Sequence, residues 1–113
     1  MNITTETANG IAVVRVGESR LMYPLLSEFS SAVQKLIASG ERRVVVDLSS
    51  VSYVDSATIG CLMDLYRQAV AAGGAVKLAG VQKRVETMLT MTGAQNFLEV
   101  HAGLESALAS FRS

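Results

Sequence analysis

The sequence predicts an α/β protein built on a mixed, mostly parallel sheet with helices packed on it. Three observations lead to this prediction. Short β-branched segments alternate with segments whose apolar residues recur at helical spacing, as expected for parallel strands joined by right-handed helical crossovers. Two adjacent strand-like segments open the chain. The 113 residues, half of them apolar, suit one domain, which we place at residues 1–113.

The first elements are a hairpin and an amphipathic helix. Residues 3–16 hold two strand-like segments separated by Asn9-Gly10, a dipeptide that tolerates positive φ and suits a tight turn. Pro24 fits the first turn of a helix, because no N–H is needed there. Gly40 is a natural stop for that helix. Its apolar positions at helical spacing are Leu25, Phe29, Ala32, Val33, Leu36 and Ile37.

The centre of the sheet is predicted at "RRVVVDL", residues 42–48. A continuous β-branched run is typical of a strand buried on both faces. The remaining elements are predicted by the same patterns, in the overall order ββαβαβαβα. They are a helix from 59 to 70 with a stop at 71–74, a strand at 75–80, a helix over 82–91, a strand at 97–101 and a helix over 104–111.

Composition excludes several classes of function. Ten acidic residues balance ten basic ones, so no nucleic-acid partner is expected. The single cysteine, Cys61, excludes a disulfide framework within the chain and fits a reducing compartment. The opening "MNITTETANG" lacks the order of a signal peptide, and no apolar run approaches the ~20 residues that span a bilayer. We therefore expect a cytoplasmic protein without direct membrane insertion.

The junction "YVDSATIG", residues 53–60, is the candidate functional site, and catalysis is the first hypothesis for it. Serine and aspartate at strand-to-helix turns serve as nucleophiles in α/β enzymes. However, "VDSAT" is not the G-x-S-x-G motif, and the one histidine, His101, ends a predicted strand with no feature tying it to Ser56. We expect His101 to be an ordinary strand-end residue, and we expect no catalytic residue.

No cofactor or metal is expected either. Asp47, Asp55 and Asp64 are distributed over a strand, a loop and a helix, which does not place ligands in register. The phosphate-binding motif G-x-x-x-x-G-K-[ST] is absent.

Position alone leaves two readings of Asp55-Ser56 open. The first N–H groups of a helix need acceptors, so either residue can act as a cap, and caps are common. If Asp55 is the cap, the Ser56 hydroxyl lies in the first turn near the surface. A phosphate on that oxygen would suit the helix dipole, yet it would add a charge of about −2 to any docking surface.

At these residues the sequence resembles the STAS domains, the sulfate transporter and anti-sigma factor antagonist domains, and among them the stand-alone bacterial anti-sigma factor antagonists. The resemblance spans the chain. It rests on "RVGE", the central "VVVDLSSVSYVDSATIGCLMDLYRQA", "GGAVKLAGVQKRVETMLTMTG" and "FLEVHAGLESAL".

The resemblance implies that Ser56 is phosphorylated by a partner that is both an anti-sigma factor and a serine kinase. The unphosphorylated protein would bind that partner and free the sigma factor. Phosphorylation would end the binding, and a phosphatase would restore it.

Two motifs depart from the family pattern. The motif D-S-[ST]-G-L-G has Ala57 and Thr58 in place of its hydroxyl residue and first glycine. The motif G-E-[LIV]-D before the first helix ends here in Arg20, so a base replaces an acid at a position that helps to engage the kinase.

We therefore expect a phospho-regulated protein-binding switch. Large apolar side chains are usually buried, so "LMYP" at 21–24 is interpreted first as packing; if exposed, it joins the site. The resulting docking face comprises Asp55, Ser56, Ala57, Thr58 and Gly60, with Met22 and Tyr23.

Two alternatives remain. In the first, the chain is a docking subunit of a stressosome-like assembly or a lipid ABC transporter, and Ser56 is a contact that is never phosphorylated. The second, an aspartyl-phosphate receiver, ranks last, because the segment after residue 16 offers only Glu18 where receivers need an acidic pair. Self-association is possible under any reading.

Overall fold

The computed structural model describes residues 1–111, with the backbone alone at Ala8. A five-stranded sheet forms the middle of the molecule. Its strands, in spatial order, are β1 (Ile3–Ala8), β2 (Ile11–Val16), β4 (Arg43–Asp47), β6 (Ala75–Ala79) and β7 (Glu99–His101). Only the β1–β2 pair is antiparallel. The predicted mixed, mostly parallel sheet is therefore confirmed, with the "RRVVVDL" strand at its centre.

Within residues 1–111, four helices cover the sheet on both faces. They are α1 (Leu26–Ala38), α2 (Ser56–Ala71), α3 (Lys83–Thr92) and α4 (Leu104–Ser110). Phe29 of α1, Leu62 of α2 and Leu89 of α3 share one buried cluster with Val44 and Val46 of β4. The shorter α4 packs on the opposite face, where Ala107 joins Ile11, Val45 and Ala79. Successive side chains of β4 point to opposite faces of the sheet, so this strand contributes to the core on both sides.

The predicted turns are confirmed. Asn9 and Gly10 have φ of 55° and 77° and close the hairpin, as an Asn-Gly turn requires. Gly40 has φ of 101° just beyond the end of α1, a value that a residue with a side chain rarely adopts.

The structure adds a second, two-stranded parallel sheet that the sequence pattern did not predict. β3 (Arg20–Leu21) pairs with β5 (Tyr53–Val54). The second residue of each strand, Leu21 in β3 and Val54 in β5, is buried. Two residues are too few to show a period, so only the pairing of distant segments reveals these strands.

The start of α1 differs from the prediction, whereas α2 starts where a cap at Asp55 would place it. Tyr23–Leu25 forms a 3-10 turn that contains Pro24, and α1 follows from Leu26. α2 begins at Ser56, three residues before Ile59, the first of the apolar residues at helical spacing. Its first turn is set by the N-terminal cap and not by apolar packing. Among the described residues, none of the helices combines the length and apolarity needed to cross a membrane.

Candidate functional site

Asp55 is the N-terminal cap of α2. Its backbone is extended, with φ of −103° and ψ of 176°, and its Oδ1 accepts a hydrogen bond from the Thr58 N–H at 2.9 Å. This satisfies one of the helix N–H groups that have no partner inside the helix. The cap predicted at the Asp55-Ser56 pair is thus Asp55.

The same carboxylate also holds the segment that precedes α1. Its Oδ2 accepts a hydrogen bond from the Tyr23 N–H at 3.0 Å. Thr58 adds a second link, because its Oγ1 lies 2.7 Å from both the Leu21 carbonyl oxygen and Asp55 Oδ1 and can donate to either. The end of β3, the 3-10 turn and the first turn of α2 therefore form one hydrogen-bonded unit.

This unit shifts the pKa of the Asp55 carboxyl. Partial burial acts to raise the pKa, but the hydrogen bonds from the Tyr23 N–H and from the Thr58 side chain and N–H outweigh it, and the pKa lies below its ordinary value. The carboxylate is therefore ionised at neutral pH and remains a hydrogen-bond acceptor.

Thr58 is not a surface residue, contrary to its expected place in the docking face. Its side chain is fully buried, and its hydroxyl is committed to Leu21 and Asp55. A buried hydroxyl needs such partners, which is why a polar residue is tolerated at this point of the core. Thr58 therefore lies beneath the predicted docking face and offers no surface contact in this conformation.

Ser56, Ala57 and Gly60 lie on the surface. Ser56 is the first residue of α2, and no hydrogen bond within residues 1–111 engages its side-chain hydroxyl. A Cβ added at Gly60 would meet nothing within 4 Å, so close packing does not demand the glycine. The Ser56 oxygen is consequently accessible at the positive end of a 16-residue helix.

The "LMYP" segment divides between core and surface. Leu21 is fully buried, Met22 is half-buried, and Tyr23 is 74% exposed. The usual burial of large apolar side chains therefore predicts Leu21 correctly and Tyr23 incorrectly. The hydrogen bond that the Tyr23 N–H donates to Asp55 fixes the Tyr23 backbone beside the start of α2.

An open groove of about 610 Å³ runs between α1 and α2 and ends at Tyr23. On α2 its wall is formed by Ala57, Gly60 and Cys61, whose small side chains leave the space between the helices unfilled.

Burial raises the pKa of the Cys61 thiol, against the effect of a hydrogen bond with Ser30, so the thiol is neutral at pH 7. The lining residues are Tyr23, Pro24, Leu26, Ser27, Ser30, Gln34, Ala57, Gly60, Cys61, Asp64 and Gln68.

Sequence reasoning missed the groove, although a signal for it exists. On α2 its residues fall at positions 57, 60, 61, 64 and 68, a stripe of helical spacing. The first three of these residues, Ala57, Gly60 and Cys61, have small side chains. A helix face of small residues does not fill the space against its neighbour.

The STAS domain model matches residues 2–107. The chain belongs to the STAS domain family.

Named relatives and solved structures agree with this assignment. An anti-sigma-B factor antagonist of Staphylococcus aureus is 26% identical over 105 residues, which is 93% of this chain and 96% of the relative. An anti-sigma factor antagonist from Mycobacterium paratuberculosis superposes with a TM-score of 0.90 at 20% identity, over 99% of this chain and 94% of its own.

SpoIIAA, an anti-sigma factor antagonist from Bacillus, is known in two forms. The unphosphorylated form has a TM-score of 0.73 over 99% of both chains, at 17% identity. The phosphorylated form has a TM-score of 0.75 over 98% of this chain and 100% of its own, also at 17% identity. At these identities the structural likeness shows the shared fold.

His101 of this STAS domain lies in a cluster of its own. Its Nδ1 is 3.0 Å from Ser106 Oγ and its Nε2 is 2.9 Å from Glu99 Oε1. Lys77 Nζ lies 3.2 Å from the other Glu99 oxygen. Burial acts to raise the pKa of Glu99, but the bonds from Lys77 and His101 outweigh it and hold the pKa below its ordinary value. The cluster ties β6, β7 and α4 together and has no contact with Ser56.

The aspartates of this STAS domain are dispersed. Asp47 Oδ1 accepts from the Ser49 N–H at 2.9 Å, and Asp64 pairs with Arg67 at 2.8 Å on the open face of α2. In the described part of the chain, no three His, Cys, Asp or Glu side chains are grouped so that they could hold a metal ion.

Proposed function

We propose that this STAS domain is a cytoplasmic anti-sigma factor antagonist, and that phosphorylation of Ser56 switches off its binding to an anti-sigma factor. The observation that carries the proposal is the placement of Ser56. Its hydroxyl is exposed at the first position of α2, next to the Asp55 cap and close to the exposed Tyr23. Modification there changes a docking surface directly. Residues 1–113 act as one domain in this proposal.

The fold tolerates a phosphate at this position. A phosphoryl group on Ser56 Oγ would meet the positive end of α2, which favours negative charge. Ser56 is exposed, so a group added to its side chain lies outside the core. The modification therefore leaves the fold intact.

The same phosphate should disrupt docking, although it leaves the fold intact. The phosphate adds a charge of about −2 beside the ionised Asp55, at the end of a groove lined by Tyr23, Ala57 and Gly60. A partner that buries Ser56 against apolar groups would have to desolvate that charge, which is costly. Loss of binding follows from this cost.

The partner has a defined chemical role. An anti-sigma factor with serine kinase activity transfers the terminal phosphoryl group of its nucleoside triphosphate to Ser56 Oγ, and the hydroxyl proton leaves to a base of the kinase. A phosphatase returns the hydroxyl by hydrolysis. The relatives support this assignment, since those from Staphylococcus aureus are anti-sigma-B factor antagonists and SpoIIAA is known in a phosphorylated form.

Intact-mass analysis of the protein purified from its native cells tests the proposal. We expect a phosphate-sized mass increase in the wild type that disappears in Ser56→Ala. Ser27→Ala, which changes an exposed serine that lines the groove, is the matched control and should keep the increase.

Two outcomes would contradict the switch. A mass increase that persists in Ser56→Ala would place the phosphate elsewhere. Its absence under every growth condition would favour a docking subunit of a stressosome-like assembly or a lipid ABC transporter, in which Ser56 is only a contact.

A further inference from the structure

The outer edge of β1 offers backbone hydrogen-bonding groups that the sheet does not use. β1 is the terminal strand of the five-stranded sheet, with β2 on its inner side. The Gly17 N–H donates to the Asn2 carbonyl oxygen at 2.7 Å, so this pair is a hydrogen-bonded pair of the antiparallel ladder. Bonded pairs alternate along the ladder, and Thr4, Glu6 and Ala8 therefore also bond to β2. The N–H and C=O groups of Ile3, Thr5 and Thr7 consequently point away from the sheet.

This edge lacks the features that usually protect an exposed strand. β1 contains no proline and no lysine, and its register with β2 runs through six consecutive pairs without a bulge. Its one charged residue, Glu6, accepts hydrogen bonds from Arg15 of β2 at 2.6 and 3.1 Å, so that side chain is held over the sheet face. The edge is therefore open to another strand.

The sequence of β1 is complementary to itself when reversed about Thr5. An antiparallel copy centred on Thr5 places Thr5 against Thr5 and Ile3 against Thr7. These are the residues with outward backbone groups, so three bonded pairs would form with six hydrogen bonds. On the other face, Glu6 would lie opposite Thr4, and no like charges would meet.

We propose that β1 is a self-association edge, where a second copy of this chain pairs antiparallel about Thr5 and joins two five-stranded sheets into one of ten strands. The two-fold symmetry favours a second copy over an unrelated strand, because each favourable pair occurs twice. The edge shares no residue with the α1–α2 groove or with the docking face, so the inference stands apart from the proposed function. A single strand edge is a small interface, and we expect a dissociation constant on the order of 100 µM.

Sedimentation equilibrium from about 5 to about 500 µM tests the association, a range chosen for an interface of this size. The wild type should pass from monomer to dimer. Thr5→Pro removes an outward N–H and leaves the β1–β2 bonds intact, and we expect it to weaken dimerisation at least about tenfold, through the loss of two bonds at the symmetry axis. Thr5→Val keeps the N–H and the β-branched shape and should dimerise as well as the wild type.

A second variant covers the possibility that proline disturbs the hairpin. Thr5→Lys places two positive charges opposite each other at the axis and should also abolish the dimer. Amide hydrogen exchange of the wild type gives the register: protection of Ile3, Thr5 and Thr7 should rise with protein concentration, while that of Thr4 and Glu6 stays constant. A wild type that remains monomeric at every concentration, or a dimer that survives both Thr5→Pro and Thr5→Lys, would overturn the proposal.

Discussion

The Asp55 carboxylate joins Tyr23 to the start of α2. One oxygen accepts from the Tyr23 N–H at 3.0 Å, and the other caps the Thr58 N–H at 2.9 Å. A single side chain thereby fixes the first turn of the helix that carries Ser56 and positions the exposed Tyr23 beside it. Under the proposed function, stability and docking would both depend on this carboxylate.

Replacement of Asp55 should destabilise the protein measurably. Asp55→Ala removes the cap and leaves the Tyr23 N–H without its acceptor, and we expect a loss of about 1–2 kcal/mol in the free energy of unfolding. Urea denaturation measures this loss. Asp64→Ala, which removes an exposed carboxylate paired with Arg67, should change stability by less than about 0.5 kcal/mol. Equal effects of the two variants would show that the Asp55 bonds contribute nothing specific.

The lowered pKa of Asp55 predicts a definite pH dependence. Because the pKa is lower in the folded protein than in the unfolded chain, the stabilisation is present above the ordinary value of about 3.9 and is lost as pH falls through the folded pKa. Unfolding of the wild type and of Asp55→Asn should therefore differ most near neutral pH, and the difference should shrink below about pH 4. A difference that grows on acidification would contradict the assigned direction of the shift.

The buried hydroxyl of Thr58 can be tested by an isosteric change. Thr58→Val keeps the shape but leaves the Leu21 carbonyl and Asp55 Oδ1 without that donor, so we expect a cost of about 1–2 kcal/mol. Thr58→Ser retains the hydroxyl and loses one methyl group from a buried site, at a cost of about 1 kcal/mol. Thermal unfolding of both variants separates the hydrogen bond from the packing. A Thr58→Val protein as stable as the wild type would show that the hydroxyl is dispensable.

The sequence predicted those parts of the fold that depend on local patterns. The strand of "RRVVVDL" is buried on both faces and so reads as a continuous apolar run, and Asn9-Gly10 and Gly40 mark turns through their own backbone preferences. These features need no information from distant parts of the chain.

The site depends on contacts between segments that lie far apart, which is why the sequence predicted only part of it. The Tyr23 N–H donates to Asp55, 32 positions away, and the buried Thr58 hydroxyl lies within hydrogen-bond distance of the Leu21 carbonyl, 37 positions away. From residue type alone, a threonine is expected to be exposed and a large aromatic to be buried. The actual burial of Thr58 and Tyr23 depends on partners that the sequence does not identify.

Under the proposed function, Tyr23 should be a main contact for the anti-sigma factor. A large exposed aromatic beside a groove is the side chain from which most binding energy is expected. Tyr23→Ala should weaken binding of the purified anti-sigma kinase at least about tenfold and leave the free energy of unfolding unchanged. Phe97→Ala truncates an aromatic that is also exposed, at 57%, but lies outside the groove, and it should bind as the wild type does. If Phe97→Ala weakens binding and Tyr23→Ala does not, the docking face has been placed on the wrong side of the protein.

Arg20 should set the charge preference of the partner. Its guanidinium stacks over the Tyr53 ring at 5.3 Å, and among the described residues no carboxylate pairs with it. The nearby acids are engaged, since Asp55 accepts the bonds described above and Glu18 accepts from the Asn2 N–H at 2.7 Å. A partner with an acidic group opposite Arg20 would therefore gain an ion pair, and Arg20→Glu should slow association and reverse its dependence on salt. Arg43→Glu makes the same change in charge at the start of β4, in the other sheet, whereas Arg20 lies in β3, which pairs with β5 just before Asp55. Stopped-flow association rates at low and high salt distinguish the two variants, and identical rates for both would mean that only the net charge of the protein matters.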